Sequence, residues 1–148
     1  MASPIQSMQK VGEAKLEFLF WDIYNSELYS ESGAFNQQEY PLALKIQYLR
    51  NIDAKDLVDK TAEEWQKLGY TDAQVAPWLT QISEIWPDIV KGDELLLVVE
   101  KDRSSRFYHN QELIGDMLDD DFGPSFLAIW LDENCSFPKL RDKLIGLP

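Results

Sequence analysis

The chain contains one cysteine and one histidine in 148 residues. Cys135 alone excludes an internal disulfide and any thiolate cluster for zinc. His109 alone excludes a metal centre built from several histidines of one chain. No metal or cofactor is expected. Long apolar runs are absent too: Leu95 to Val99 is strand length, far below the roughly 18 residues that a membrane-crossing helix needs. The first residues, from Met1 to Ile5, have neither the basic region nor the apolar stretch of a signal peptide, and would suit a mature N-terminus with an initiator Met added. Positive charge is scarce, with 14 Lys and Arg against 26 Asp and Glu, a net charge of −12. Such a field repels phosphate backbones and anionic lipid headgroups, so nucleic acid and membrane insertion are not expected partners.

What is present reads as a globular domain. Hydrophobic residues make up 45% of the chain and charged residues 27%, and a domain of this size buries a core without staples. Residues 1–10 are polar and are expected to be a flexible segment, leaving 11–148 as a single domain. Ala14 to Tyr29 is apolar on both phases, which predicts a long strand, or two joined at Asp22, buried on both faces for part of its length. Leu16, Phe18 and Phe20 share one phase; Leu19, Trp21 and Ile23 share the other. Leu42 to Arg50 alternates more cleanly, with Leu42, Leu44, Ile46, Tyr48 and Arg50 on one face. Asp53 caps a helix carrying Leu57, Val58, Thr61, Trp65 and Leu68, and Gly69 ends it. Thr71 or Asp72 caps a second helix that tolerates Pro77 near its first turn and ends at Pro87. Strands follow over 94–101 and 106–109, then a tight turn at Asn110-Gln111 and a strand over 112–115. Helices at about 120–131 and 138–144 complete the chain. The order β-β-β-α-α-β-β-β-α-α lacks βαβ alternation and predicts an α+β fold, an antiparallel sheet with helices packed on one face.

Several stretches resemble the bacterial chalcone-isomerase-like family. They are Val11-Gly12-Glu13-Ala14, then Leu19 to Tyr24 with Leu28-Tyr29, Ala43-Leu44, Tyr48 to Ile52, Gly92-Asp93 and Arg106 to Asn110. Trp65, Gly69 and Tyr70 to Ala73 resemble the helical hairpin of the plant enzymes. The most specific pieces are Phe126 to Leu131 and Leu140 to Gly146. The resemblance implies an open-faced β-sandwich whose cleft, between sheet and helices, holds a flavonoid in the plant enzymes and a fatty acid in related binding proteins. It also implies export to the periplasm or beyond, with the cytoplasm as the alternative. The plant isomerase uses an Arg before its first long strand, a Thr in that strand pair, and a Tyr and an Asn on its first helix. Alignment on Tyr29 and Trp65 places Tyr24 at the Thr position and Asp53 and Lys60 near the helix positions. The Arg has no counterpart, Lys10 and Lys15 being the nearest cations. The isomerase reaction needs a cation for a phenolate and donors for a ketone, so the resemblance points away from that catalysis and toward binding a small apolar or fatty-acid-like ligand.

The residues expected to hold such a ligand are Arg50, Tyr24 and Tyr48. Arg50 continues the apolar phase of its strand and is placed to meet a carboxylate at the cleft mouth; otherwise it bonds to one of the acids or reaches solvent. The two tyrosines offer hydroxyls to the same headgroup, or fill the core with their hydroxyls at the rim. His109 reads as an exposed turn histidine and Cys135 as a spectator thiol. Asp116 and Asp119-Asp120-Asp121 read as helix capping, since their spacing does not suit a calcium loop. Trp65, Trp78, Trp86 and Trp130, four of five tryptophans, either roof an apolar cavity or fill the helix–sheet interface. Two other functions stay open. An enzyme of unknown substrate using Tyr24 and Arg50 predicts a strongly shifted group in a closed cleft. An acidic interaction domain predicts a packed cleft and a salt-sensitive basic partner.

Overall fold

A computed structural model of the chain describes residues 4–18, 21–36 and 39–147. Six strands form one antiparallel sheet: β1 (Gln9–Phe18), β2 (Trp21–Ser30), β3 (Leu42–Tyr48), β4 (Glu94–Val99), β5 (Ser105–His109) and β6 (Glu112–Met117). They lie side by side in chain order. Two helices, α1 (Ala54–Lys67) and α2 (Asp72–Ile85), separate β3 from β4; α3 (Phe122–Leu131) and α4 (Pro138–Leu144) follow β6. The expected α+β order is therefore observed. One boundary differs: the apolar stretch from Ala14 is a hairpin pairing Glu17 with Asp22, so the join precedes Asp22. The predicted phases of Leu19 and Phe20, and of the Phe18 side chain, lie outside the described residues.

The sheet has two faces because strand side chains alternate. Leu42, Leu44, Ile46 and Tyr48 of β3 face the helices beside Leu95, Leu97 and Val99 of β4, and all are buried. β4 is apolar on both phases for a specific reason. Its outward Leu96 and Val98 form a second small cluster with Ala43, covered by Ile5, Met8, Tyr29 and Tyr108. Part of the N-terminal segment expected to be loose thus lies against the sheet, and Gln9 and Lys10 already pair with Ser30 and Tyr29.

Helix ends follow local chemistry. Thr71 Oγ1 accepts from Gln74 N at 3.1 Å, as an N-cap should. Asp53 has the extended backbone of an N-cap but no side-chain bond; instead Asp88, across the helical hairpin, accepts from Ala54 N at 2.8 Å. Pro77 sits in the second turn of α2, near the first as expected, where it removes one helical hydrogen bond. The Asn110-Gln111 turn has φ of 50° and 74°, the paired left-handed conformation that a two-residue hairpin requires.

Between sheet and helices lies a layer of aromatic rings. Phe122, Phe126 and Trp130 stand four residues apart along α3, on one stripe, with neighbouring ring centroids 5.6 and 5.1 Å apart. Trp65 packs on Trp78, Phe122 and Phe126, and Phe107 of β5 packs on Trp86, Phe122 and Phe126. The tryptophans fill this interface rather than roofing an empty space. Trp86 is the C-cap residue of α2, one position past the helix.

Candidate functional site

Tyr24 and Tyr48 are direct cross-strand partners on β2 and β3. Their rings meet edge to face, 6.0 Å between centroids, and both are buried among the core residues. Trp130 Nε1, from the far end of α3, donates to the Tyr24 hydroxyl oxygen at 2.8 Å. Burial drives the Tyr24 pKa up, the Trp130 bond works against this, and the Glu64 carboxylate adds to the rise. Burial likewise raises Tyr48, with Tyr24 contributing. Both groups are neutral phenols at pH 7, useful as hydrogen-bond donors and not as bases. Among the described residues neither hydroxyl has an acceptor for its proton.

A buried acid completes the surroundings. Glu64 on α1 is 5% exposed and sits on the helix arc of Thr61, Trp65 and Leu68. Its carboxylate accepts from Ser136 Oγ at 2.5 Å and pairs with Lys60 Nζ at 3.1 Å and Lys67 Nζ at 3.5 Å. Burial opposes its charge, but Ser136 and the two ammonium groups outweigh that and hold its pKa below the usual value. The bond to Ser136 ties the α3–α4 loop to α1. Cys135, next in that loop, is buried and its thiol is pushed up in pKa by burial, which makes it unreactive. Lys60, aligned with a helix position of the plant enzyme, is engaged with Glu64 and the exposed Glu63. Asp53 stands at the start of α1.

Arg50 lies two residues past the end of β3 and is exposed. Its guanidinium carbon stacks 4.3 Å from the centroid of the Trp21 ring. The structure thus pairs Tyr24 with Tyr48 in the sheet's register, while Arg50, in a bend beyond the strand, turns onto Trp21.

His109 ends β5, next to the turn, but it is half-buried rather than exposed and has an acidic partner. Its Nε2 lies 3.0 Å from Asp93 Oδ2. Asp93 also accepts from Val90 N at 2.9 Å and from the Asn110 amide at 3.1 Å. The Val90 N–H, the Asn110 amide and His109 together draw the Asp93 pKa down to about 2. A carboxyl with a depressed folded-state pKa stabilises above its unfolded value, near 4, and loses that contribution as pH falls toward 2. Asp93→Asn is therefore expected to lower the melting temperature at pH 7 and to flatten its fall between about pH 4 and 2. Calorimetry over that range checks it; an unchanged slope would remove Asp93 as the acid-sensitive group. Asp119 spends its two carboxylate oxygens on Trp78 Nε1 and Asp121 N, each at 2.9 Å. Asp119 thus closes the turn before α3 and holds Trp78, while the expected side-chain cap is not made: the N-cap residue, Asp121, has no side-chain bond to the helix. Among the described residues, no group of three or more His, Cys, Asp or Glu gathers to hold a metal, and no helix is long and apolar enough to cross a membrane.

Glu64 and Ser136 were not read from sequence, and Trp130 was read as cavity roof or interface filler without its bond to Tyr24. Glu64 carried a signal, an acid at helical spacing on the arc of Trp65. Trp130 and Tyr24 are separated by 106 residues, a pairing that no spacing announces.

The sequence profile of chalcone isomerase-like proteins matches residues 12–146. The chain belongs to the chalcone isomerase-like family. An uncharacterized protein of Haemophilus influenzae is 29% identical over 145 residues, which cover 98% of this chain and 71% of that protein. The crystal structure of an Arabidopsis thaliana fatty-acid binding protein superposes with a TM-score of 0.76 at 11% identity, covering 99% of this chain and 90% of that one. At that identity the likeness is one of fold: the open six-stranded sheet and four helices of the chalcone isomerase-like architecture.

Proposed function

We propose that this chalcone isomerase-like domain is a non-catalytic carrier of a small apolar ligand with a carboxylate head, such as a fatty acid. The observation that carries the reading is the Tyr24–Tyr48 pair, two buried cross-strand tyrosines whose hydroxyls donate to no acceptor among the described residues. A carboxylate oxygen accepting from both would satisfy them, and Arg50, exposed just past the end of β3, is the cation expected to balance the charge. Resemblance in fold to a protein described as binding fatty acids supports this class of ligand. The aromatic stripe of α3 occupies the deeper space, so an acyl chain enters only if Trp130, half-buried and tied by its bond to Tyr24, turns aside. Binding and release of Tyr24 by Trp130 are then one event. Family analogy favours the periplasm or the outside of the cell, with the cytoplasm as the alternative. Catalysis is disfavoured because burial keeps both phenols protonated, and the positions aligned with the isomerase residues hold Tyr24, Asp53 and Lys60.

Native mass spectrometry of the purified protein, with solvent extraction, tests the reading. A stoichiometric fatty acid is expected, and Tyr24→Phe or Tyr48→Phe should weaken its binding roughly 10- to 100-fold, the worth of a hydrogen bond to a charged group. A clean apo mass that does not change with a panel of fatty acids would overturn it. In that case the packed aromatic layer would favour the interaction-domain reading.

A further inference from the structure

We propose that the outer edge of β1 pairs with the same edge of a second copy of this chain, joining two sheets about a two-fold axis at Ala14. The surface is separate from the tyrosine pair, and its pairing does not depend on a bound ligand.

β1 is the first strand of the sheet and has a neighbour on one side only. A long open edge invites pairing unless something blunts it. Two register irregularities blunt this one, between Lys10 and Gly12 and between Leu16 and Glu17. The stretch between them, Gly12 to Leu16, is regular. Backbone groups of an antiparallel strand turn alternately to its two sides. Leu49 N donates to Ile23 O at 2.9 Å, which turns Ile23 toward β3. Asn25 and Glu27 follow it, so Tyr24, Ser26 and Leu28 are turned toward β1. Ala14, the register partner of Ser26, therefore bonds to β2, and the Ser26 hydroxyl donates to its carbonyl at 2.8 Å. Glu13 and Lys15, on either side, then aim their N–H and C=O groups outward. Among the described residues, nothing donates to or accepts from those groups.

Charge then selects the partner and the register. A second copy placed antiparallel about Ala14 sets Glu13 opposite Lys15 of that copy, and Lys15 opposite its Glu13. Each of these pairs exchanges two backbone hydrogen bonds. Alternation puts both side chains of a pair on one face, where opposite charges attract. Moving the axis by one residue would set Glu13 against Glu13, or Lys15 against Lys15, which is unfavourable. The present partners, Lys10 for Glu13 at 3.4 Å and Asp22 for Lys15 at 3.1 Å, form exposed ion pairs that hold these side chains weakly. Two unspent charges also meet at each end of the ladder. Glu17 and Lys143 have no ionic partner within 4.0 Å among the described residues. The Lys143 backbone lies against Gly12, which would face Leu16 of the second copy, next to its Glu17. Such a contact is isologous, so it closes on itself and grows no fibre. Five residues a side bury less than the roughly 1,200 Å² of a standard interface, so the dimer is weak and concentration-dependent.

Sedimentation velocity of the full chain, from roughly 5 to 500 μM, covers the range in which a small interface dissociates. The wild type should pass from monomer to dimer as concentration rises. Glu13→Lys and Lys15→Glu each turn both attractive pairs into repulsive ones, and each should weaken the dimer at least about tenfold. The chain carrying both should regain it, because the pairs return with their signs exchanged. Lys15→Pro keeps the β1–β2 ladder, since that N–H points outward, and removes one donor from each intermolecular pair. It should leave a monomer with an unchanged far-ultraviolet dichroism spectrum. A wild type that stays monomeric at every concentration overturns the proposal and leaves the edge to a strand of another protein. A dimer untouched by Lys15→Pro and by both single reversals places the contact on another surface, and a folded double reversal that stays monomeric discards the register; either result overturns it as well.

Discussion

Replacement of Trp65 by alanine is expected to cost about 3–5 kcal/mol, the range for deleting a large aromatic from a packed core. For a domain near 150 residues this lowers the melting temperature by roughly 6–20 °C. Trp65 is fully buried and its ring meets Tyr70, Trp78, Phe122 and Phe126, so no single neighbour can collapse into the space it leaves. Its indole also donates to Ser125 O at 2.9 Å. That bond joins α1 to the helix that carries Trp130 to Tyr24, so the substitution loosens the candidate site as well as the core. Trp65→Phe separates the two effects. It keeps most of the ring volume and removes only the donor, for about 1–3 kcal/mol. Chemical denaturation checks the first variant, and the Trp130–Tyr24 contact, followed by the Trp130 indole resonance, checks the second. A Trp65→Ala loss below about 1 kcal/mol would mean that the aromatic layer repacks freely; the space would then adapt to a ligand more readily than this structure implies.

The element order was legible because each segment carries its own period. Leu42 to Tyr48 alternates and Leu57 to Leu68 recurs at helical spacing; both became what those periods predict. The β1–β2 hairpin was harder, because Phe18-Leu19-Phe20-Trp21 is a continuous apolar run with no Gly, Pro, Asn or Asp to announce a turn. Asp53 misled in another way. It has the residue type and the backbone of a cap, while the hydrogen bond to Ala54 comes from Asp88, 34 residues away. His109 was misjudged for the same reason: its partner Asp93 is adjacent only once β4 and β5 pair. Of the candidate site, Tyr24 and Tyr48 were legible from strand phase. Arg50 was expected on the same strand phase, but β3 ends at Tyr48 and Arg50 lies exposed in the bend beyond it, stacked on Trp21. Local period and capping chemistry read well in one dimension, whereas side-chain partners across layers do not.

Gly12→Ala should separate the α4 corner from the rest of the fold. A methyl group at Gly12 would stand 2.1 Å from the Lys143 carbonyl oxygen and 2.7 Å from that of Leu144. Both are backbone atoms that cannot rotate away, so α4 must shift off β1. Over-packing of this kind costs about 1–3 kcal/mol, and more when backbone has to move; the upper end is expected here. The helix has only seven residues and is anchored by buried Leu140 and Leu144, so displacing it leaves it little to hold on to. The α3–α4 loop then loses its anchor at the α4 end, with the Arg141 Nε bond to Leu131 O that spans it, and keeps the Ser136–Glu64 bond. Cys135, buried in that loop, is the chain's single thiol and reports the change without further labels. Its modification by a thiol reagent should be slow in the wild type and at least tenfold faster in Gly12→Ala. Glu64→Gln, which weakens the loop's other attachment, should accelerate it independently. The double variant should exceed the sum of the two if these bonds are what hold the loop over Tyr24, because either one alone still returns the loop to its place. Equal protection of Cys135 in all three variants would show that the loop is held by its own packing, and would leave the Glu64 network as a property of α1 alone.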